Sequence, residues 1–201
     1  MISEDYLKKL SQYVGRDIKW IVKKNEIIVQ CDAEFSLIIQ DNYSTYFLYS
    51  EYRGKRELIS KYNYDVENDL KVSFARRLKN NFNSGIDYSH SSKFEKANNI
   101  KEVVKLLSIY CDSNFYSVDN PQRGRINLES EKEGKYSVYY MDIDGNRHYQ
   151  EKCEEHSFAF ARFYNEIACL SGMVKQINDY SKVFGEKIDD KRTIQRLIYG
   201  Y

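Results

Sequence analysis

The chain is poor in the features that most readily announce a function. Four cysteines, Cys31, Cys111, Cys153 and Cys169, are scattered through 201 residues without one CxxC pair. That excludes a zinc ribbon and a disulfide framework and leaves them as small reduced residues. No apolar run approaches the ~18 residues that cross a membrane. Met1 to Lys9 lacks a basic-then-apolar leader, so the expected location is the cytoplasm, with no membrane partner. The formal charge is +1, and residues 1–85 (14 Lys+Arg, 12 Asp+Glu) are as balanced as residues 86–201 (17 against 18). Nucleic-acid binders draw much of their affinity from basic groups on phosphate, so no nucleic-acid partner is expected. GxSxG, HExxH and glycine-rich phosphate loops are all missing. No catalytic residue, cofactor or metal is therefore assigned, and the chain reads as a non-enzyme.

What is present is a globular balance of 42% hydrophobic and 30% charged residues, with 19 tyrosines. Tyrosine suits strands and half-wet surfaces, where the ring is buried and the hydroxyl meets water. Residues 3–14 read as a helix capped by Ser3 and ended by Gly15, with Tyr6, Leu7, Leu10 and Val14 on one face. Alternation then predicts a half-buried strand at Ile18 to Lys23 and further strands at 27–30 and 35–39. Two more, 46–50 and 56–62, flank a turn at Arg53-Gly54. A helix beginning near Asp65, a candidate cap, carries Leu70, Phe74, Leu78 and Phe82 at fourfold spacing. Residues 86–98 lack periodicity and read as a linker or surface loop.

Beyond it the pattern begins again. Asn99 and Glu102 form a capping-box variant ahead of a helix at 100–110 with Ile100, Val103, Val104 and Leu107 apolar. Strands follow at 115–118, 126–129 and 136–141. Asp144-Gly145 signals a two-residue hairpin turn, which needs positive φ at both positions. A helix from about Glu155 and a last one at 188–199 complete the chain. Sliding residues 35–56 against 126–147 gives an ungapped match: Phe35 meets Ile126, Leu37 Leu128, Tyr49 Tyr140, Gly54 Gly145 and Arg56 Arg147. Phe74-Ala75-Arg76 then corresponds to Phe160-Ala161-Arg162. The fold class expected is α+β, with two similar α–β–β–β–α units whose antiparallel sheets are each covered by helices. The first is 1–85; the second is 99–201, with a C-terminal helical extension. The matched residues are hydrophobic or turn-forming with two arginine pairs, a shared scaffold without shared chemistry. Arg56 and Arg147, just past the turns, are expected as exposed strand residues.

The polar clusters of the second unit have simpler explanations than catalysis. His148, Cys153, Glu154, Glu155 and His156 lie close in sequence but have no counterpart in the first unit, so no metal site is assigned. Asp142-Ile-Asp144-Gly145-Asn146 resembles the start of a calcium loop, yet Cys153 stands where the closing glutamate belongs. The unit order also resembles double-stranded-RNA-binding domains, which grip phosphate with lysines at the second helix start. Here those starts, Asp65 to Asp69 and Glu154-Glu155, are acidic.

The run Tyr136-Ser-Val-Tyr-Tyr-Met-Asp-Ile-Asp-Gly-Asn146, an acidic stretch and the helix with Phe160-Ala-Arg-Phe163 resemble small immunity proteins of bacterial polymorphic-toxin systems. Lys-, Asn-, Ile- and Tyr-heavy usage is similar to that of AT-rich Gram-positive genomes. The resemblance covers 136–168 and, loosely, 46–82. It implies a cytoplasmic protein that neutralises the toxic domain of a cognate secreted effector by occluding its active site. Such a protein needs a rigid scaffold and an aromatic-and-charged patch rather than a catalytic group. Turn tips project from sheets, which makes Tyr52, Arg53, Asp142, Asp144 and Asn146, with the acidic helix start Glu154 and Glu155, the expected partner-binding residues. Two other readings stand beside it: a small hydrolase or transferase with a carboxylate-based site, and a nucleic-acid-binding or phage regulatory module.

Overall fold

A computed structural model describes residues 2–188 and 190–199. The fold is α+β with two similar units, one built on residues 2–85 and 176–188, the other on 86–175 and 190–199. Among the described residues no helix is long and apolar enough to cross a membrane.

The first unit opens with α1 (Glu4–Val14). Ser3 caps it by accepting from the Tyr6 N–H, and Gly15 closes it in the left-handed conformation, the arrangement a side-chain-free residue adopts most cheaply. Five antiparallel strands follow in chain order: β1 (Lys19–Val22), β2 (Glu26–Gln30), β3 (Phe35–Asp41), β4 (Thr45–Tyr52) and β5 (Lys55–Asn63). A 3-10 turn at Tyr64–Val66 leads into α2 (Glu67–Asn83). Asp65 lies inside that turn and does not cap α2, whose N-cap is Val66. One sheet face supplies Val29, Leu37, Ile39 and Leu48 to a core shared with Tyr6, Leu7 and Leu10 of α1 and Leu70, Phe74 and Leu78 of α2. β1 is more exposed than its alternation suggests, because it is an edge strand with Ile21 and Val22 in solvent.

The second unit starts earlier than expected. Residues 86–98 are not a plain linker: they carry α3 (Ser91–Glu95), whose Phe94 is fully buried and stacks on Tyr164 at 4.6 Å between ring centroids. One apolar residue in a one-turn helix creates no periodicity, so the segment reads as a loop. Next come α4 (Ile100–Tyr110), β6 (Tyr116–Val118), β7 (Arg125–Ser130), β8 (Tyr136–Met141) and β9 (Arg147–Cys153). The helices α5 (His156–Phe184) and α6 (Lys191–Tyr199) complete the chain. The sheet order is β6-β7-β8-β9, and β6 pairs with β7 in parallel rather than antiparallel. Phe94, Leu107, Leu128, Tyr140, Phe160 and Phe163 form its core. The repeated strands are thus β3–β5 and β7–β9, to which the first unit adds a hairpin and the second one parallel strand.

One helix serves both units. Residues from Gln176 onward join the first, where Ile177 and Tyr180 are buried and Phe184 packs on Tyr6 at 5.0 Å. The Gln176 amide donates to Asn80 Oδ1 (2.7 Å) and the Ser84 carbonyl (2.6 Å). The extension expected beyond the second unit is therefore partly core of the first.

The repeat goes deeper than the motif match. Each outer hairpin carries one extra residue in its outer strand. The register slips between Leu48 and Tyr49 opposite Ile59, and between Val138 and Tyr140 opposite Tyr149-Gln150. The ungapped match sets Ile59 beside Gln150, so the two β-bulges coincide, and bulges are specific features of a sheet.

Candidate functional site

The sheet face opposite the helices distinguishes the two units. In the first, the register aligns Ile21 with Ile28, Ile28 with Ile38, Ile38 with Tyr49 and Tyr49 with Leu58. Side chains alternate across a strand, so these five form one apolar row across all five strands, on the face away from Val29, Leu37 and Leu48. Ile21 and Leu58, at the ends, are 59% and 47% exposed; Ile28 and Tyr49 are half-buried and Ile38 is buried.

Arg56 gives this face its shape. From β5 its Nη1 reaches Glu26 of β2 at 2.8 Å, while its Nε meets Glu51 at 3.4 Å and its guanidinium lies 5.5 Å from the Tyr49 ring. On a flat sheet three inter-strand steps of about 4.8 Å would separate β5 from β2, so the contact shows that the face is concave. Arg147 plays the matching part in the second unit, reaching from β9 across β8 to Glu129 of β7 (2.9 Å) above the Tyr139 ring (4.3 Å). Both arginines are exposed strand residues, as expected, and in addition they bridge over corresponding faces.

Beneath the second bridge the surface is polar and covered. Asn127, Ser137 and Tyr139 are buried there. Asn127 Nδ2 donates to the Gln122 and Arg125 carbonyls (3.1 and 2.9 Å), and its Oδ1 accepts from the Gln122 N–H (2.7 Å). Tyr139 donates to Glu129 (2.8 Å) and Ser137 to Glu131 (2.7 Å). Burial first, and then the Glu129 hydrogen bond, push the Tyr139 phenol well above its ordinary range. Residues 119–124, the connection between parallel β6 and β7, supply the Gln122 backbone that meets Asn127.

The sequence-predicted site residues fall into three places. Tyr52 and Arg53 are exposed at the β4–β5 turn, where Arg53 pairs with Glu34 at 2.9 Å. Arg53 and Gly54 both have positive φ (50° and 78°), the two-residue geometry expected of the other hairpin. Asp142, Asp144 and Asn146 do lie together, but in a longer turn: Met141 pairs with Arg147, and of Asp144 and Gly145 only the glycine has positive φ. Asp142 is not an exposed recognition point, being 3% exposed. Its carboxylate accepts from the Asp144 N–H (2.9 Å), the Asn146 N–H (2.8 Å), Asn146 Nδ2 (2.9 Å) and His148 Nε2 (2.7 Å). Burial alone would raise its pKa; the hydrogen bonds from His148, Asn146 and the turn backbone outweigh that and hold the carboxyl far below the usual carboxylate range. Asp142 builds the turn that presents Asp144 and Asn146. Of these two exposed residues, Asp144 pairs with Arg192 at 3.0 Å. Glu154 and Glu155 are exposed at the opposite end of β9, Glu154 pairing with Lys135 at 3.2 Å.

The apolar row is the feature that reading the sequence missed. Its members come from five strands, and only the register brings them into line. Among the described residues no three His, Cys, Asp or Glu side chains converge as metal ligands would. Comparison with protein-family models, with curated proteins and with solved structures returned no match.

Proposed function

We propose that the chain is an immunity-type inhibitor that acts in the cytoplasm and neutralises the toxic domain of a cognate secreted effector by occluding its active site. The observation that carries this reading is the concave apolar row Ile21–Ile28–Ile38–Tyr49–Leu58, framed by charged residues. An apolar centre with a polar rim is the anatomy of a protein–protein interface, and aromatic and arginine side chains such as Tyr49 and Arg56 are frequent binding hot spots. Tyr52 and Arg53 at the β4–β5 turn, with Tyr52 on the opposite face from the row by strand alternation, are secondary recognition points, as are Asp144, Asn146, Glu154 and Glu155 on the second unit. The sequence resemblance supplies the class of partner. No charge of a catalytic site is asked of any of these residues.

Co-expression tests it. The toxic domain encoded by the adjacent upstream reading frame should kill cells alone, be tolerated with this chain and co-purify with it. Ile21→Lys combined with Leu58→Lys should abolish rescue while leaving the fold intact. A toxic domain that still kills in the presence of this chain, and does not co-purify, sinks the proposal.

A further inference from the structure

The second unit also contains a cleft of about 500 Å³ lined by β7, the β8–β9 turn, α5 and α6. This lies within the roughly 300–1,000 Å³ of small-molecule sites. Its floor is apolar: Tyr140 and Leu170 are buried, and Ile194 and Ile198 half-buried. Arg123, Arg125 and Lys191 line it too, without one Asp or Glu.

Those cations differ from others in the molecule. Arg56, Arg147, Arg162 and Arg192 each meet a carboxylate at 2.8–3.0 Å. Among the described residues Arg123, Arg125 and Lys191 have no carboxylate partner. Arg125 donates to the Ser113 and Tyr116 carbonyls (2.9 and 3.2 Å), and Arg123 to that of Ile143 (3.4 Å). Gln195, 6% exposed, accepts the Ile143 N–H on its Oε1 at 2.9 Å, tying α6 to the turn. Cations beside an apolar floor, with no internal counter-charge, are complementary to an anion carried on an apolar body.

We propose that this cleft binds a small amphipathic anion, with a carboxylate or sulfonate head met by Arg123, Arg125 and Lys191 and an aliphatic or aromatic body on Tyr140, Leu170 and Ile194. This site is distinct from the concave face of the first unit and does not depend on the immunity reading. Calorimetric titration of the full chain with naphthalene-2-sulfonate, against neutral 2-naphthol, tests it. The sulfonate should bind with one-to-one stoichiometry and exceed the naphthol in affinity. Arg123→Gln with Lys191→Gln, both at exposed positions, should weaken it by at least about tenfold with an unchanged circular dichroism spectrum and urea midpoint. Ile194→Glu should give a similar loss by placing a carboxylate at the site, and Leu58→Lys should have no effect. The proposal is overturned by absence of saturable binding, by equal affinity for 2-naphthol, or by undiminished binding in the double variant.

Discussion

The corresponding sheet faces of the two units are built from opposite kinds of side chain. Both carry a bulged hairpin, a helix behind it and an arginine that bridges over the front to a glutamate. Under Arg147 the buried polar groups are hydrogen-bonded, Asn127 to the Gln122 and Arg125 backbone and Tyr139 to Glu129; under Arg56 an apolar row reaches solvent at Ile21 and Leu58. A buried hydrogen-bonded network specifies its own geometry and needs no partner. Apolar side chains that reach solvent, as Ile21 and Leu58 do at the ends of the row, gain free energy only when something covers them. The two units thus share a frame and differ in side chains that the frame does not require.

The largest effect expected from breaking this contrast is at Asn127. Asn127→Ala removes the buried side chain that accepts from the half-buried Gln122 N–H and donates to the Gln122 and Arg125 carbonyls, and the second unit should lose about 2–3 kcal/mol. Ser36→Ala, the matched position, should change stability by less than about 0.5 kcal/mol. Urea denaturation followed separately in each unit measures both, and equal losses would remove the distinction between the faces.

Asp142 comes next. Asp142→Ala deprives the turn of its organising acceptor and should cost about 2 kcal/mol at neutral pH. Its folded pKa is lowered, so the stability it contributes is present above the unfolded value of about 4 and fades as pH falls towards the lower folded value. Wild type should therefore lose its advantage over the variant on acidification below about pH 4. A difference that stays constant to pH 2, read from thermal melts, would show that the carboxylate's charge is not what holds the turn.

This residue also marks where the sequence could be read and where it could not. Ser3, Gly15, Asn99 and Glu102 act within a few residues of themselves, and the helix ends they predict are there. The repeat is legible for the same reason, since turn glycines and strand alternation are local signals. Asp142 has the composition of an exposed turn, but its burial depends on His148, beyond the turn. Phe94 is one apolar residue in a polar stretch, and parallel β6 depends on a partner reached through a crossover. The apolar row depends on pairing across five strands, so the residues that best define the candidate site carry no mark in the linear chain.

The bridges themselves should be worth less. Arg56→Met and Arg147→Met each remove an ion pair whose arginine side chain is about a third exposed or more, so solvent screening keeps the expected loss near 1 kcal/mol apiece. A double-mutant cycle of Arg56→Met with Glu26→Gln isolates the pair. A coupling that does not shrink in high salt would mean that the arginine acts through its packed stem rather than its charge.

The smallest effect on stability is the most informative about function. Leu58 sits at the solvent end of the row, 47% exposed, so Leu58→Lys should alter unfolding free energy by less than about 0.5 kcal/mol. If a partner covers the row, the same change introduces a charge at the edge of a desolvated interface, and affinity should fall at least about tenfold. The two measurements must separate. Loss of stability comparable to the loss of binding would mean that Leu58 belongs to the core of its own unit, and the asymmetry between the two faces would then be one of packing rather than of recognition.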